Sequence, residues 1–342
     1  MPAVEAPDPT RRPFLPIETL TFVALCRLLT GNLLGAAEAA GPKAARIPVI
    51  LDTDIGDDID DTWALALLLK SPEVDLKLVV TDQGKAAYRA RIIAKFLERA
   101  GRTDVGVGLG VPVANLADQG GGQTPWVQGY DLKAYPGKVH EDGVKAMIDT
   151  IISAPQPVTV IAIGPVPTLA AALERQPEIA KRARFVGMHG SVRRGYDGAK
   201  TPCPEYNVKA NPKACQKVFT APWDMTITPL DTCSLVRLKG DKYAAVRDSK
   251  DPVAAALIEN YRIWCGKDPQ RADKASSTLF DTVAAYLSFA DALLKIESLG
   301  IGVTDTGMTV IDPDAKVMRV ATEWKDMAAF EDLLVKRLTG GQ

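Results

Sequence analysis

VILDTDIGDDIDDTWALALLL, residues 49–69, decides how the rest of the chain is read. An apolar run ends in Asp52 and Asp54, an acidic turn follows, and a second apolar run opens at Asp60 and Asp61. Six acids fall within the ten residues from Asp52 to Asp61. Like charges this close repel one another, so their crowding calls for a cation or for a reaction that uses them. Hard divalent cations take oxygen ligands, above all carboxylates and backbone carbonyls. Asp52 and Asp54 alternate at a strand end. Asp60 and Asp61 start a helix, where the N-terminal dipole favours negative charge. Gly56 permits a sharp turn between the two pairs. The pattern suits chelation; a solvated acidic loop with a helix cap is the plain alternative. The ligand spacing and closing Glu of an EF-hand are absent.

Outward from this stretch the chain alternates. IPVILDTD reads as a buried strand, DDTWALALLLKS as a helix, VDLKLVVTDQG as a strand and AAYRARIIAKFLERAG as an amphipathic helix closed by Gly101. VGVGLGVPV is a third strand. HEDGVKAMIDTIISA, PTLAAALERQPEIAKRA and NPKACQKVFTA read as helices, and PVTVIAIGP, RFVGMHG and DMTITPLD as strands. This order predicts βαβ units and an α/β fold: an open, mostly parallel, doubly wound, Rossmann-like sheet with helices on both faces. The C-terminal IGVTDTGMTVIDPDAKVMRVATEWKD reads as an antiparallel edge hairpin. Ligands of such sheets sit outside the carboxyl ends of the strands. Asp52 and Asp54, Thr81-Asp82, Ile163-Gly164-Pro165, Met188-His189-Gly190 and Asp231 therefore converge on one rim. A long Gly-, Gln- and Trp-bearing loop lies between Gly110 and Val139; loops of that length are usually functional. Its Trp126 and Tyr130 are candidates for stacking on a base or for packing as a lid.

Composition narrows the partners. A formal net charge of -1 over 342 residues gives no cationic surface for nucleic acid or anionic membrane. The five cysteines, Cys26, Cys203, Cys215, Cys233 and Cys265, form no CxxC pair, which argues against a zinc knuckle or redox motif and leaves a disulfide open. Only His140 and His189 offer imidazoles. Residues 1–45 read as an N-terminal extension ahead of a single catalytic domain spanning 46–342. TRRPFL, a modestly apolar stretch and Ala37-Glu38-Ala39 follow the order of a twin-arginine export signal. That reading places the protein in the periplasm or outside the cell; a plain extension leaves it cytoplasmic. The stretch is too poor for a membrane span.

DTDIGDDIDDTWAL resembles the Asp-rich signature of the inosine-uridine preferring nucleoside hydrolase family, whose common form is DxDxGxDDxxAL. Two extra residues lie between Gly56 and the Asp pair, as in one variant branch. IAIGPVPTLAAAL (161–173), PEYNVKANPKAC (204–215) and LFDTVAAYL (279–287) resemble further family segments in the same order. The resemblance runs from about Pro48 to Trp324. It implies a nucleoside hydrolase fold and calcium-dependent hydrolysis of the N-glycosidic bond of ribonucleosides. It implies Asp54 as general base and calcium ligand, with Asp61, Asp281 and the Ile163 carbonyl as further ligands and Asp52 in the first or second layer around the ion. Asp60, Glu205 and Asn207 would bind the ribose. Met188, His140 and Phe280 would line the substrate. A homo-oligomer, dimer or tetramer, is implied as well.

Several positions depart from that family. Phe280 stands where many members carry the histidine that protonates the leaving base; it offers stacking but no proton. Lys85 stands where members often have Asn, with Asp82 close by as a polar substitute. An Asn expected in the loop before Glu205 falls near Ala199. His189 stands where Gly is usual, facing the ribose or filling space. Two other functions fit parts of the pattern. A DxD after a strand also resembles haloacid-dehalogenase-type phosphatases, which use magnesium. A nucleoside- or sugar-binding protein without turnover fits Phe280 and Lys85.

Overall fold

The computed structural model describes residues 45–112 and 120–341. The twin-arginine stretch and Val113–Gln119 of the long loop lie outside these residues. The first half of the chain runs β1 (Ile47–Thr53), α1 (Asp60–Leu69), β2 (Val74–Thr81), α2 (Ala86–Arg99), β3 (Gly106–Gly108), β4 (Val139–His140), α3 (Gly143–Ser153), β5 (Val158–Ala162), α4 (Pro167–Arg175) and β6 (Ala183–Met188). It continues with α5 (Tyr206–Ala210), α6 (Pro212–Thr220), β7 (Met225–Thr228), α7 (Leu230–Cys233), α8 (Gly240–Arg247), α9 (Pro252–Trp264), α10 (Arg271–Lys274) and α11 (Phe280–Leu287). β8 (Leu294–Val303), β9 (Thr309–Ile311), β10 (Val317–Trp324) and α12 (Met327–Leu338) close the unit that begins at Ala45.

The ten strands order as β4-β3-β2-β1-β5-β6-β7-β10-β8-β9. Those from β4 to β7 pair in parallel, and β10 continues parallel to β7 before the antiparallel β8 and β9. The predicted edge hairpin is therefore present, with β10 inside it. The third predicted strand is shorter than its sequence suggested, because only Gly106–Gly108 pairs with β2.

Pleating splits the apolar side chains between two cores. Val49 and Leu51 of β1 face one core with Trp63 of α1 and Ile92 of α2. Ile50 faces the other with Met147 of α3 and Leu169 of α4. Strands buried on both faces read as continuous apolar runs, as expected of a parallel sheet between two helix layers. α1 is buried nearly all round, so its core face cannot be told from periodicity.

From β1 the chain winds outward to β4 and then returns to β5 on the other side of β1. This reversal opens a crevice between the carboxyl ends of β1 and β5. Asp52 pairs with Ala162 across it, and the Ile163 N–H donates to the Asp52 carbonyl at 2.9 Å. No described helix is long and apolar enough to cross a membrane. The four described cysteines are free thiols.

Candidate active site

A cavity of about 350 Å³ opens at this crevice, within the size range of small-molecule clefts. Its floor holds Asp54, Asp60, Asp61 and Asp281, with Ile163, Met188, Glu205 and Asn207 on the walls. β1 delivers Asp54, the first turn of α1 delivers Asp60 and Asp61, and the first turn of α11 delivers Asp281. Gly56 makes the turn between the two acidic pairs at φ 116°, where a Cβ would lie 2.7 Å from the Tyr88 ring. Only glycine fits that backbone and that space.

Asp60, Asp61 and Asp281 each place a carboxylate oxygen within 4.8 Å of the other two. All three are buried. Burial first, and repulsion from a neighbouring carboxylate second (Asp58 on Asp60, Asp54 on Asp61, Asp60 on Asp281), push their proton affinities well above the usual carboxylate range. Asp54 is raised to about 7 by burial, against the opposing pull of Arg89. Asp52 sits behind the cavity floor; both its oxygens are buried without a partner, and burial raises it strongly. Buried carboxylates without partners stay neutral or take a cation. Hard oxygen donors, the adjacent Ile163 carbonyl and these orphaned oxygens fit a divalent metal ion. Asp60, expected beside the ribose, belongs to the same trio as the expected ligands.

The opposite wall is held by backbone. Glu205 caps α5, taking the N–H of Asn207 at 2.7 Å, of Val208 at 3.2 Å and of Gly190 at 2.9 Å. Burial raises its carboxyl to about 7. The Asn207 amide donates to the Met188 carbonyl at 2.9 Å and reaches the Ile163 carbonyl at 3.3 Å. Asn207 thereby ties together the carboxyl ends of β5 and β6.

Other expected residues lie elsewhere. His140 is on the edge strand β4, beside Gly106, and does not line the cavity. It had been expected there from its register alone, and β4 carries it to the far edge of the sheet. His189 is fully buried against Phe185 and Phe219, with Nε2 3.0 Å from the Gly164 carbonyl; burial lowers its pKa to about 4, so it fills space as a neutral ring. Trp126 packs on Phe96 beneath Lys95, and the Tyr130 hydroxyl donates to Glu98. Both therefore pack against their own domain. Asp82 accepts the N–H of Val166 at 2.7 Å and of Thr168 at 3.1 Å, anchoring the turn into α4. Asp231 likewise holds the N–H groups of Val192 and Arg193. Lys85 pairs with Asp57 at 2.6 Å.

Phe280 does line the cavity, where Tyr196 meets it edge-on with ring centroids 6.0 Å apart. Tyr206 and Trp264 complete this aromatic side, and Asp57 and Asp58 stand at its rim. The roles of Tyr196, Tyr206 and Trp264 were not legible in the sequence. Tyr206 sits inside the E-Y-N segment, the one signal that pointed to this wall.

This constellation matches known proteins across nearly the whole described chain. The model of the inosine-uridine preferring nucleoside hydrolases matches residues 49–332. The chain belongs to that family. It is 29% identical to the pyrimidine-specific ribonucleoside hydrolase RihA of Salmonella arizonae, over 85% of this chain and 98% of that protein. It is 27% identical to a probable uridine nucleosidase 2 of Arabidopsis thaliana, over 82% and 90% respectively. Its fold superposes on a purine-preferring ribonucleoside hydrolase from Gardnerella vaginalis with a TM-score of 0.69, at 23% identity over 86% of this chain and 98% of that one. A plant nucleoside hydrolase gives 0.71 at 22% identity, over 86% and 99%. The chain is thus a glycosidase of the nucleoside hydrolase class acting on a small-molecule nucleoside. Family membership sets aside the dehalogenase-type phosphatase.

Proposed function

We propose that this nucleoside hydrolase is calcium-dependent and that Asp54, Asp61, Asp281 and the Ile163 carbonyl hold the ion, with Asp52 behind them. The observation that carries this reading is the buried cluster of Asp60, Asp61 and Asp281, with Asp54 in the same cavity and an Asn–Met–Glu wall opposite. Calcium, when bound, supplies positive charge that lowers the pKa of water and orients hydroxyl oxygens. The carboxylate of Asp54 takes the proton of the attacking water. The remaining oxygen adds to the anomeric carbon as the glycosidic bond breaks, and the base leaves with the bonding electrons. Carboxylates around the ribose stabilise the positive charge that develops on the sugar. Asp60, Glu205 and Asn207 face the sugar hydroxyls, and Met188 lines the wall beside them.

Phe280, Tyr196, Tyr206 and Trp264 form the leaving-group side, where stacking favours a purine. Neither histidine lines the cavity, so no imidazole protonates the base. A homo-oligomer and a catalytic domain spanning 46–342 belong to the same proposal. The test is base release from a panel of ribonucleosides, with calcium or with chelator. Turnover lost to chelator and restored by calcium supports the reading. Nucleoside binding without base release would favour a binding protein that has lost turnover.

A further inference from the structure

The acidic loop between β1 and α1 has no regular secondary structure, yet its carbonyls are not left to solvent. The Arg89 guanidinium donates to the carbonyls of Asp54 and of Ile55, the latter at 2.9 Å. The Tyr88 hydroxyl donates to the Gly56 carbonyl at 3.0 Å. The Trp264 indole donates to the Asp57 carbonyl at 2.9 Å. Four consecutive carbonyls are thus each held by a side chain from α2 or α9. Arg89 does more than accept this geometry. Its second nitrogen reaches the Asp57 carboxylate at 2.9 Å and the Gln83 carbonyl at 3.3 Å. The side chain is fully buried and does not line the cavity. A planar fork with five donors spans such a set of acceptors; a lysine ammonium cannot.

Three residues, Asp57 to Ile59, separate Gly56 from the acidic pair that opens α1. Without a brace, an irregular loop has many conformations in which the Asp54 carboxylate misses the reacting centre. We propose that Arg89 is the positioning residue of this loop, locking the Asp54 main chain from behind while the Asp57 carboxylate braces the guanidinium. The proposal rests on the reading of Asp54 as general base and ligand.

Arg89→Lys keeps the charge and removes the fork. The expected result is a kcat at least ~100-fold lower, a KM within about threefold of the parent, and calcium affinity by calorimetry at least tenfold weaker. Asp57→Asn, at a partly exposed side chain, keeps the carbonyl bonds and loosens the Arg89 brace together with the Lys85 pair. It should shift kcat and calcium affinity in the same direction by a smaller factor, and it stands in if Arg89→Lys does not fold. A merely structural role would lower the melting temperature of either variant and leave the calcium affinity and the kcat of the folded fraction at parental values. That outcome overturns the proposal. A parent protein with no calcium-dependent turnover instead removes the underlying reading, and the proposal with it.

Discussion

Replacing Asp281 by Asn should stabilise the metal-free protein while weakening its hold on calcium. The substitution is nearly isosteric, so no cavity is left in α11. Asp281 has a carboxylate oxygen within 4.8 Å of those of both Asp60 and Asp61. At an effective dielectric constant of 20, two unit charges at that separation repel by about 3.5 kcal/mol. Protons taken up by the raised carboxylates relieve much of this, which leaves a gain on the order of 1–3 kcal/mol when the third charge is removed. For a domain of this size that is a rise of about 2–6 °C in melting temperature. Calcium loses a charged ligand in the same step, and its affinity should fall roughly 100-fold or more. Scanning calorimetry in chelator at pH 8 and titration calorimetry with calcium read the two effects separately. A variant that melts lower without metal and binds calcium as the parent does would show that Asp281 is a structural acid, and the cation site would have to be built without it.

Asn207→Ala should impair both KM and kcat for ribonucleosides, with each lost hydroxyl contact worth on the order of 1–3 kcal/mol; parental kinetics would remove Asn207 from the sugar site. The metal-free protein should lose stability as pH rises. Asp54 and Glu205 are raised to about 7 in the fold, so the folded state binds more protons than the unfolded one between about pH 4 and pH 7. The destabilisation is absent below that window and complete above it. Melting curves in chelator at pH 5 and pH 8 give the sign, and calcium should restore more stability at pH 8. With Phe280 in place of an acid, p-nitrophenyl riboside should be hydrolysed much faster than uridine, with inosine between them, the missing proton being worth roughly 10²–10⁴-fold. Equal rates for uridine and the nitrophenyl substrate would show that another group protonates the base, and the loss of uridine turnover alone in Tyr196→Phe would identify it.

The acidic half of the site was legible because its signals are local. A strand, a DxD, a glycine turn and an acidic helix start are consecutive in residues 49–69, and topology carries them to the rim. Asp281 and Asn207 were found through short segments with a resemblance of their own. The aromatic side was not legible. Trp264 ends α9, one of the helices in 240–274 for which the pattern gave no functional hint, and only the packing of α9 against α1 and α2 brings its indole onto Asp57. Arg89 has the pattern of a charge in an amphipathic helix, and such charges normally face water; its burial follows from the loop it supports. His140 misled because register with a family histidine says nothing about which edge of the sheet a two-residue strand will join.

The distance along the chain between Asp54 and Asp281 matters during synthesis. Asp54 is made early and Asp281 near the end. At roughly 5–20 residues per second, the interval between them is on the order of 10–45 s. Through that time the acidic turn has neither its fourth carboxylate nor the α11 helix that carries it, although β5, made well before α11, already covers the open edge of β1. The full acidic set therefore comes together only once α11 has been made. A product truncated before α11 keeps Asp54, Asp60 and Asp61 but not the fourth carboxylate.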